Sequence, residues 1–375
     1  MRKTITKNVL VAGFMMATSA LQAQMISTVV GVQRSNLDAQ TMAPFDNTNT
    51  TPSAARLVVP NGIAFDQNGK MYFSEWHKIR IIDGTTVANR GGEPGDPSFT
   101  RAFWDAAGIQ SKMSEPAGMI VYSNNELFFA DEDNHAIRKM SQFSSLGNTQ
   151  FTTTVAGDYS SASSLNGVGV AGTADGTGLA AKFNRPSDLA VDKDGYIYVC
   201  DKFNNSIRRI EFVGSDAVVT TFAGLTGELN TGTTDGVGTA ARFNTPTSIT
   251  YDATTHTLIV ADWGNGSLRK IDIATKTVST LLPNNTTTAG YVDGALAVAN
   301  AHQPYGVCVD GSGNIFFTER QRSVVRKIST DDVVSTVAGQ DDVAGWVDGD
   351  PTKSTFAGPE RIVYNPGDVA FYITD

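Results

Sequence analysis

Apolar and polar positions alternate over short runs throughout this chain, and the runs return in a fixed order. The clearest copy starts at Pro186. Asp188 to Val191 is apolar and β-prone, Asp192-Lys193-Asp194-Gly195 carries turn chemistry, and Tyr196 to Cys200 is a second strand-like run. A polar loop, Asp201 to Asn205, leads to a third run from Ser206 to Phe212 and a fourth from Ala217 to Ala223. In such turns Asp bonds its own backbone and Gly takes positive φ without strain, so each break is a reversal and the unit is a meander. Related units begin at Pro60, Pro116, Pro246, Pro304 and Pro359, about 55 to 70 residues apart. Short antiparallel sheets repeated at this period pack face to face around an axis as a propeller. The pattern predicts an all-β, six-bladed β-propeller of four-stranded antiparallel blades over residues 24–375.

Several positions recur from unit to unit. In one copy they are Asp175-Gly176, Phe183, Pro186, Asp192, Gly195, Asp201, Asn204 and Ile207-Arg208; in the next, Asp235-Gly236, Phe243, Pro246, Asp252, Asp262, Asn265 and Leu268-Arg269. These residues resemble the NHL repeat family of β-propellers, and the resemblance spans nearly the whole chain after the first two dozen residues. It implies the propeller architecture and leaves the activity open, because one fold serves many functions.

The first, second and last copies depart from the pattern. In the first, Glu75 replaces Asp and Arg80 follows only five positions on, which predicts a shorter loop. The second ends its first strand in Tyr122-Ser123 rather than Asp. The last reaches Ile373-Thr374-Asp375, where a third strand is due, while Ile26-Ser27-Thr28-Val29-Val30-Gly31 is close to the fourth-strand sequence Val334 to Gly339. An N-terminal strand completing the last blade would close the ring and remove sheet edges. The third strand of that blade has no evident source. Either the sequence is cut short or the N-terminal strand packs directly beside Val369 to Thr374.

Composition narrows the function classes. Abundant glycine, 36 residues, with only 18% charged residues suits a turn-rich β protein. A net charge of −9 argues against nucleic acid or an anionic membrane surface as partner. Arg2, Lys3 and Lys7 precede an apolar stretch from Val9 to Met16 and small residues up to Ala23, the layout of an export leader over residues 1–23. No second apolar stretch is long enough to span a bilayer. The expectation is an exported, periplasmic or extracellular protein with no membrane insertion, of bacterial style. Cys200 and Cys308 fall at interior strand positions of non-adjacent repeats, too far apart to bridge, and read as small buried hydrophobes.

The recurring acid–arginine pairs, Asp131/Arg138, Asp201/Arg208, Asp262/Arg269 and Glu319/Arg326, flank a hairpin loop and serve the blade rather than catalysis. The Asp-Gly pairs at Asp175, Asp235, Asp293 and Asp348 read as turn-forming Asx geometry. None of these loops has the oxygen density of a calcium site. Of the four histidines, His77 and His135 lie on one face in neighbouring blades, His302 lies across the ring and His256 on the opposite face. Zinc needs three ligands at one point, so no cofactor is expected, with calcium or zinc the minor alternative. No nucleophile motif or phosphate loop appears.

Positions that vary around the axis carry more information. The two residues after each proline begin the innermost strand and face the mouth of the central channel: Asn61-Gly62, Ala117-Gly118, Ser187-Asp188, Thr247-Ser248, Tyr305-Gly306 and Glu360-Arg361. They form either a solvated rim or a small-ligand pocket whose polar groups are Asp188, Tyr305, Glu360 and Arg361. Trp76, Phe203 and Trp263 in second-to-third strand loops, with Trp104, Tyr291 and Trp346 between blades, offer an aromatic surface for a sugar or peptide chain. The sequence therefore predicts a non-enzymatic binding scaffold for a protein, a carbohydrate or a small molecule. The alternative is a metal-dependent hydrolase or lyase, similar in architecture to the propeller lactonases and amidating lyases.

Overall fold

A computed structural model describes residues 11–15, 26–30, 51–52, 55, 57, 59–92, 105–107, 111–141, 151–160, 169–284 and 292–375. These residues form six antiparallel sheets, the blades, numbered here from the first proline repeat. The innermost strands are Pro60–Phe65, Pro116–Val121, Pro186–Val191, Pro246–Asp252, Pro304–Val309 and Ile362–Asn365. Each packs against the inner strand of the next blade, and the sixth packs against the first, so the ring is closed. Blade three shows the unit in full: Pro186–Val191, Ile197–Asp201, Ser206–Val213 and Asp216–Ala223, each pairing with the one before it. Blades two to five also carry a two-residue outer strand drawn from the preceding connection, such as Gly176–Thr177 and Gly236–Val237.

Between blades the core is a layer of interdigitated apolar side chains. Phe183, Ile197, Val199 and Ile210 of blade three meet Phe128, Ala130 and Ile137 of blade two, all buried. Cys200 and Cys308 are free and buried in different layers, and burial holds both thiols well above their usual titration range.

One arginine staples each of blades one to five. The register pairs Asp201 with Ser206 and Val199 with Arg208, which puts Asp201 and Arg208 on one face of the hairpin, diagonal neighbours. Arg208 Nη1 donates to Asp201 at 2.7 Å and to the Lys182 carbonyl at 2.9 Å, while Nη2 donates to Asp175 at 2.7 Å. Its guanidinium also lies 5.2 Å from the centre of the Phe183 ring. Arg138, Arg269 and Arg326 repeat the arrangement with Asp131, Asp262 and Glu319, and all are fully buried. In blade one the two-residue turn Trp76-His77 shortens the loop, and Glu75 pairs with Arg80 at 3.2 Å.

The Asp-Gly aspartates are not turn caps, as their sequence suggested. Asp175, Asp235 and Asp293 accept from the staple arginine of their blade and from a fourth-strand threonine amide or hydroxyl, Thr221, Thr280 or Thr336. They tie the incoming connection to the outer edge of the blade. Asp348 holds the Thr28 amide at 3.0 Å and its hydroxyl at 2.9 Å, the same role in blade six.

That contact makes Ile26–Thr28 the fourth strand of blade six, as the sequence pattern implied. It does not lie directly beside the C-terminal hairpin, however. Val11–Met15, from the apolar stretch read as the heart of the leader, pairs with Ala370–Thr374 on one side and Ile26–Thr28 on the other. The slot has a physical demand behind it: Ala370–Thr374 would otherwise present an open edge of unpaired backbone groups. The rest of residues 1–25 lies outside the described residues.

The buried carboxylates carry a pH consequence. Burial pushes Asp201 and Asp262 up to about 6 and Glu319 to about 7, against the pull of their arginines. In the unfolded chain these groups titrate near about 4, so between those values the folded state holds more protons and stability falls as pH rises. Their contribution is complete below about 4 and lost as pH passes 6 to 7. The lowered carboxylates, such as Asp158 near about 2, act only in a more acidic window. The urea midpoint is expected to drop between roughly pH 4 and 7. A midpoint that climbs over that range would mean the arginines win.

Candidate functional site

The channel is built in layers set by distance from each repeat proline. The first residue after the proline forms the mouth: Asn61, Ala117, Ser187, Thr247, Tyr305 and Glu360. The second forms a layer of Gly62, Gly118, Asp188, Ser248, Gly306 and Arg361. Three glycines in that layer let the inner strands approach closely. A Cβ on Gly118 would lie 1.8 Å from Asp188 Oδ1, and one on Gly306 would lie 2.2 Å from the Glu360 carbonyl.

Into the space so made runs Arg361. Its Nη1 donates to Asp188 Oδ2 at 3.2 Å and to the Thr247 carbonyl; Nη2 donates to the Ser187 carbonyl at 2.7 Å, and Nε to Asn61 Oδ1 at 3.2 Å. One side chain from blade six thus grips blades one, three and four. Asp188 Oδ2 also accepts from the Ser248 hydroxyl at 2.6 Å and the Ile249 amide at 3.1 Å. The pair is buried and closes the channel at this layer. The sequence placed Asp188 and Arg361 at the mouth as ligand contacts. The structure engages them with each other and with the backbone of facing blades, one layer below it.

Above the crossing is a chamber of about 220 Å³ lined by Trp76, Glu132, Arg185, Lys202, Tyr305 and Glu360, among others. The Tyr305 ring lies 5.8 Å from Arg361 and 5.5 Å from Arg320. Its hydroxyl makes no hydrogen bond to another described residue. Burial and the Glu360 carboxylate hold its pKa well above the ordinary tyrosine value, so it remains an O–H donor. Glu360 pairs with Arg320 at 3.3 Å. Arg185 bridges Glu115 at 2.9 Å, Glu132 at 3.1 Å and Asp133 at 2.7 Å, and Lys202 reaches Glu132 at 2.9 Å. Burial first, then Asp133 and Glu132, raise the Glu115 carboxyl above its usual range.

Of the aromatic loop residues, Trp76 lines this chamber, while half-exposed Phe203 lies between Arg185 at 5.4 Å and Lys202 at 5.6 Å. Trp263 opens the short turn Trp263–Asn265 and is not part of the lining; Trp346 is exposed. Trp104 and Tyr291 lie outside the described residues. Sequence reasoning missed Glu132, Arg185 and Lys202. The signal was available: the residue after each strand-two acid varies as Trp76, Glu132, Lys202, Trp263 and Arg320, and the residue before each proline varies as Val59, Glu115, Arg185, Thr245 and Gln303.

The pre-proline residues also explain the histidines. Each has left-handed backbone, with φ from 47° at Val59 to 54° at Arg185 and Thr245, uncommon outside glycine. The Arg185 amide donates to His135 Nδ1 at 3.0 Å, and the Thr245 amide to Asn205 Oδ1 at 2.8 Å. The Glu115 amide approaches His77 Nδ1 at 3.4 Å. His77 and His135 are clasps from one blade to the next rather than a metal pair. His256 Nδ1 meets the Tyr251 hydroxyl at 2.7 Å on the other face, and the His302 amide donates to Glu319 at 2.9 Å. Among the described residues no three His, Cys, Asp or Glu side chains converge as a metal-ligand set, and no helix is long and apolar enough to cross a membrane.

Comparison with known proteins agrees with this architecture. Residues 86–211 match the teneurin NHL domain. NHL repeat-containing protein 2 from Homo sapiens is 33% identical over 34% of this chain and 17% of its own length. The chain spans less than a fifth of the curated relatives it matches. Among solved structures, a protein of unknown function from Bacteroides thetaiotaomicron superposes over 97% of this chain and 90% of its own, with TM-score 0.59 and 17% identity. An auxiliary nutrient binding protein from Bacteroides ovatus covers 98% of this chain and 74% of its own, with TM-score 0.57 and 15% identity. At such identities the likeness is one of fold. Repeat motif, ring of six sheets and these matches together make the chain a β-propeller whose repeats are similar to those of the NHL family.

Proposed function

We propose that this propeller is a non-enzymatic binding protein that holds a saccharide unit at the mouth of its channel. The observation that carries this reading is the chamber of about 220 Å³ in which two aromatic side chains, Trp76 and Tyr305, meet charged groups from several blades. An aromatic face suits the C–H face of a sugar ring, and paired carboxylates and cations at its edge suit hydroxyls, which both donate and accept. The Tyr305 hydroxyl is a donor with no described partner. The closed floor gives the ligand a base rather than a conduit.

Export belongs to the same proposal, and residues 1–23 are its leader. Cleavage after Ala23 would withdraw Val11–Met15 from blade six, so leader and strand make opposing demands on one segment. N-terminal sequencing of the protein recovered from culture medium or periplasm reads which fate it takes.

Calorimetric titration with neutral and acidic mono- and disaccharides tests the binding site. At least one sugar is expected to bind, and Trp76→Ala is expected to weaken it by about tenfold or more, roughly 1.4 kcal/mol, the scale of one aromatic contact. A panel in which no sugar binds, or in which Trp76→Ala changes nothing, sinks the proposal.

A further inference from the structure

We infer that the channel beyond the Arg361–Asp188 crossing is a second binding chamber, independent of the mouth, which takes a compact, uncharged, largely apolar molecule bearing one hydrogen-bond acceptor. The crossing divides the channel. Below it lies a chamber of about 340 Å³ that extends to the residues ending the inner strands, Phe65, Tyr251 and Tyr364 among them. An engineered cavity of about 150 Å³ holds benzene, so this space accommodates roughly a dozen non-hydrogen atoms.

Its walls follow from the repeat. The third residue after each proline is Ile63, Met119, Leu189, Ile249, Val307 and Ile362, and all six line the chamber. Every one is aliphatic, whereas the two layers above mix polar, charged and glycine positions. All six are buried in the apolar layers between blades, and the edges they turn to the axis give the chamber the mainly apolar wall, with a few fixed polar groups, that suits a small ligand.

The polar groups sit at the floor. Arg361 and Asp188 both line the chamber. Nη2 of Arg361 donates one N–H to the Ser187 carbonyl, and its second N–H has no acceptor among the described residues. An oxygen acceptor on the ligand satisfies it. A ligand anion would be placed beside the Asp188 carboxylate, and a ligand cation beside the guanidinium, each repelled where water is scarce. An uncharged ketone, ester or ether meets the floor without either cost.

The test uses three probes of one shape, 2-acetylnaphthalene, naphthalene and 2-naphthoate, added separately to protein labelled at Ile, Leu, Val and Met methyls. The ketone is expected to shift the methyls of Ile63, Met119, Leu189 and Ile249, and to bind at least about tenfold more tightly than the carboxylate and measurably more tightly than the hydrocarbon. Val307→Phe and Ile249→Phe, tested as two separate variants, each narrow the space and are expected to weaken the ketone by about tenfold. Folding of either, checked by its methyl spectrum, suffices. Equal affinity for ketone and naphthalene would remove the acceptor contact. Tighter binding of 2-naphthoate would remove the uncharged class. No methyl shift, or shifts at Val59 of the mouth chamber instead, would leave a water-filled channel and overturn the proposal.

Discussion

Arg208→Ala is expected to lower the unfolding free energy by about 3–5 kcal/mol while leaving ligand binding at the channel mouth intact. The size of the loss comes from burial. Arg208 and Asp201 are both fully buried, so removing the guanidinium strands a carboxylate that retains only the Asn184 amide and the Asn204 side-chain amide. The Lys182 and Ala174 carbonyls lose their donor in the same step. Arg208→Lys rescues little, since one ammonium cannot reach acceptors spread over the face of a fork. Within the same cluster Asp175 is 48% exposed, and Asp175→Ala is expected to cost about 1 kcal/mol or less. Urea denaturation followed by circular dichroism ranks the three variants. A stable Arg208→Ala that has lost its ligand would reverse the structural assignment.

The arginine spacing was legible because both ends of the pair lie in one hairpin, where register follows from the strand pattern. The partner in the Asp-Gly loop was not. Asp175 and Arg208 lie 33 residues apart, and only the outer strand Gly176–Thr177 docked on Val218 and Val219 brings them together. Local turn chemistry explains the same dipeptide equally well, so nothing in the sequence favours the longer connection. The histidines were closer to being readable. His77, His135 and Asn205 occupy matched positions, and a role shared by imidazole and amide points to a hydrogen-bond acceptor rather than a metal ligand. The inner strands and the first residue after each proline followed from period alone, and the N-terminal fourth strand of blade six from its likeness to Val334 to Gly339. The place of Val11–Met15 did not, since charge and hydropathy there describe an export leader and β-pairing supplies the strand.

Arg361 is the harder case, because its chemistry suggests a ligand clamp and its neighbours withhold it from that role. Arg361→Met is expected to cost about 3–5 kcal/mol, comparable to the loss of a blade staple, although no other blade has an equivalent side chain. Asp188, 11% exposed, would keep the Ser248 hydroxyl and the Ile249 amide but lose its only cation, and the Thr247 and Ser187 carbonyls would lose donors. The effect reaches across the ring, since the contacts that vanish join blade six to blades one, three and four. Asp188→Asn removes the charge while keeping two acceptor lone pairs for the same donors. In the double variant, Arg361→Met with Asp188→Asn, the stranded charge is gone, and the cost should fall below the sum of the two single costs by at least about 1 kcal/mol. Strict additivity in the denaturation midpoints would show that the two residues do not act as a pair. The same double variant opens the floor between the two chambers, so a probe bound below the crossing should exchange faster from it than from the native protein.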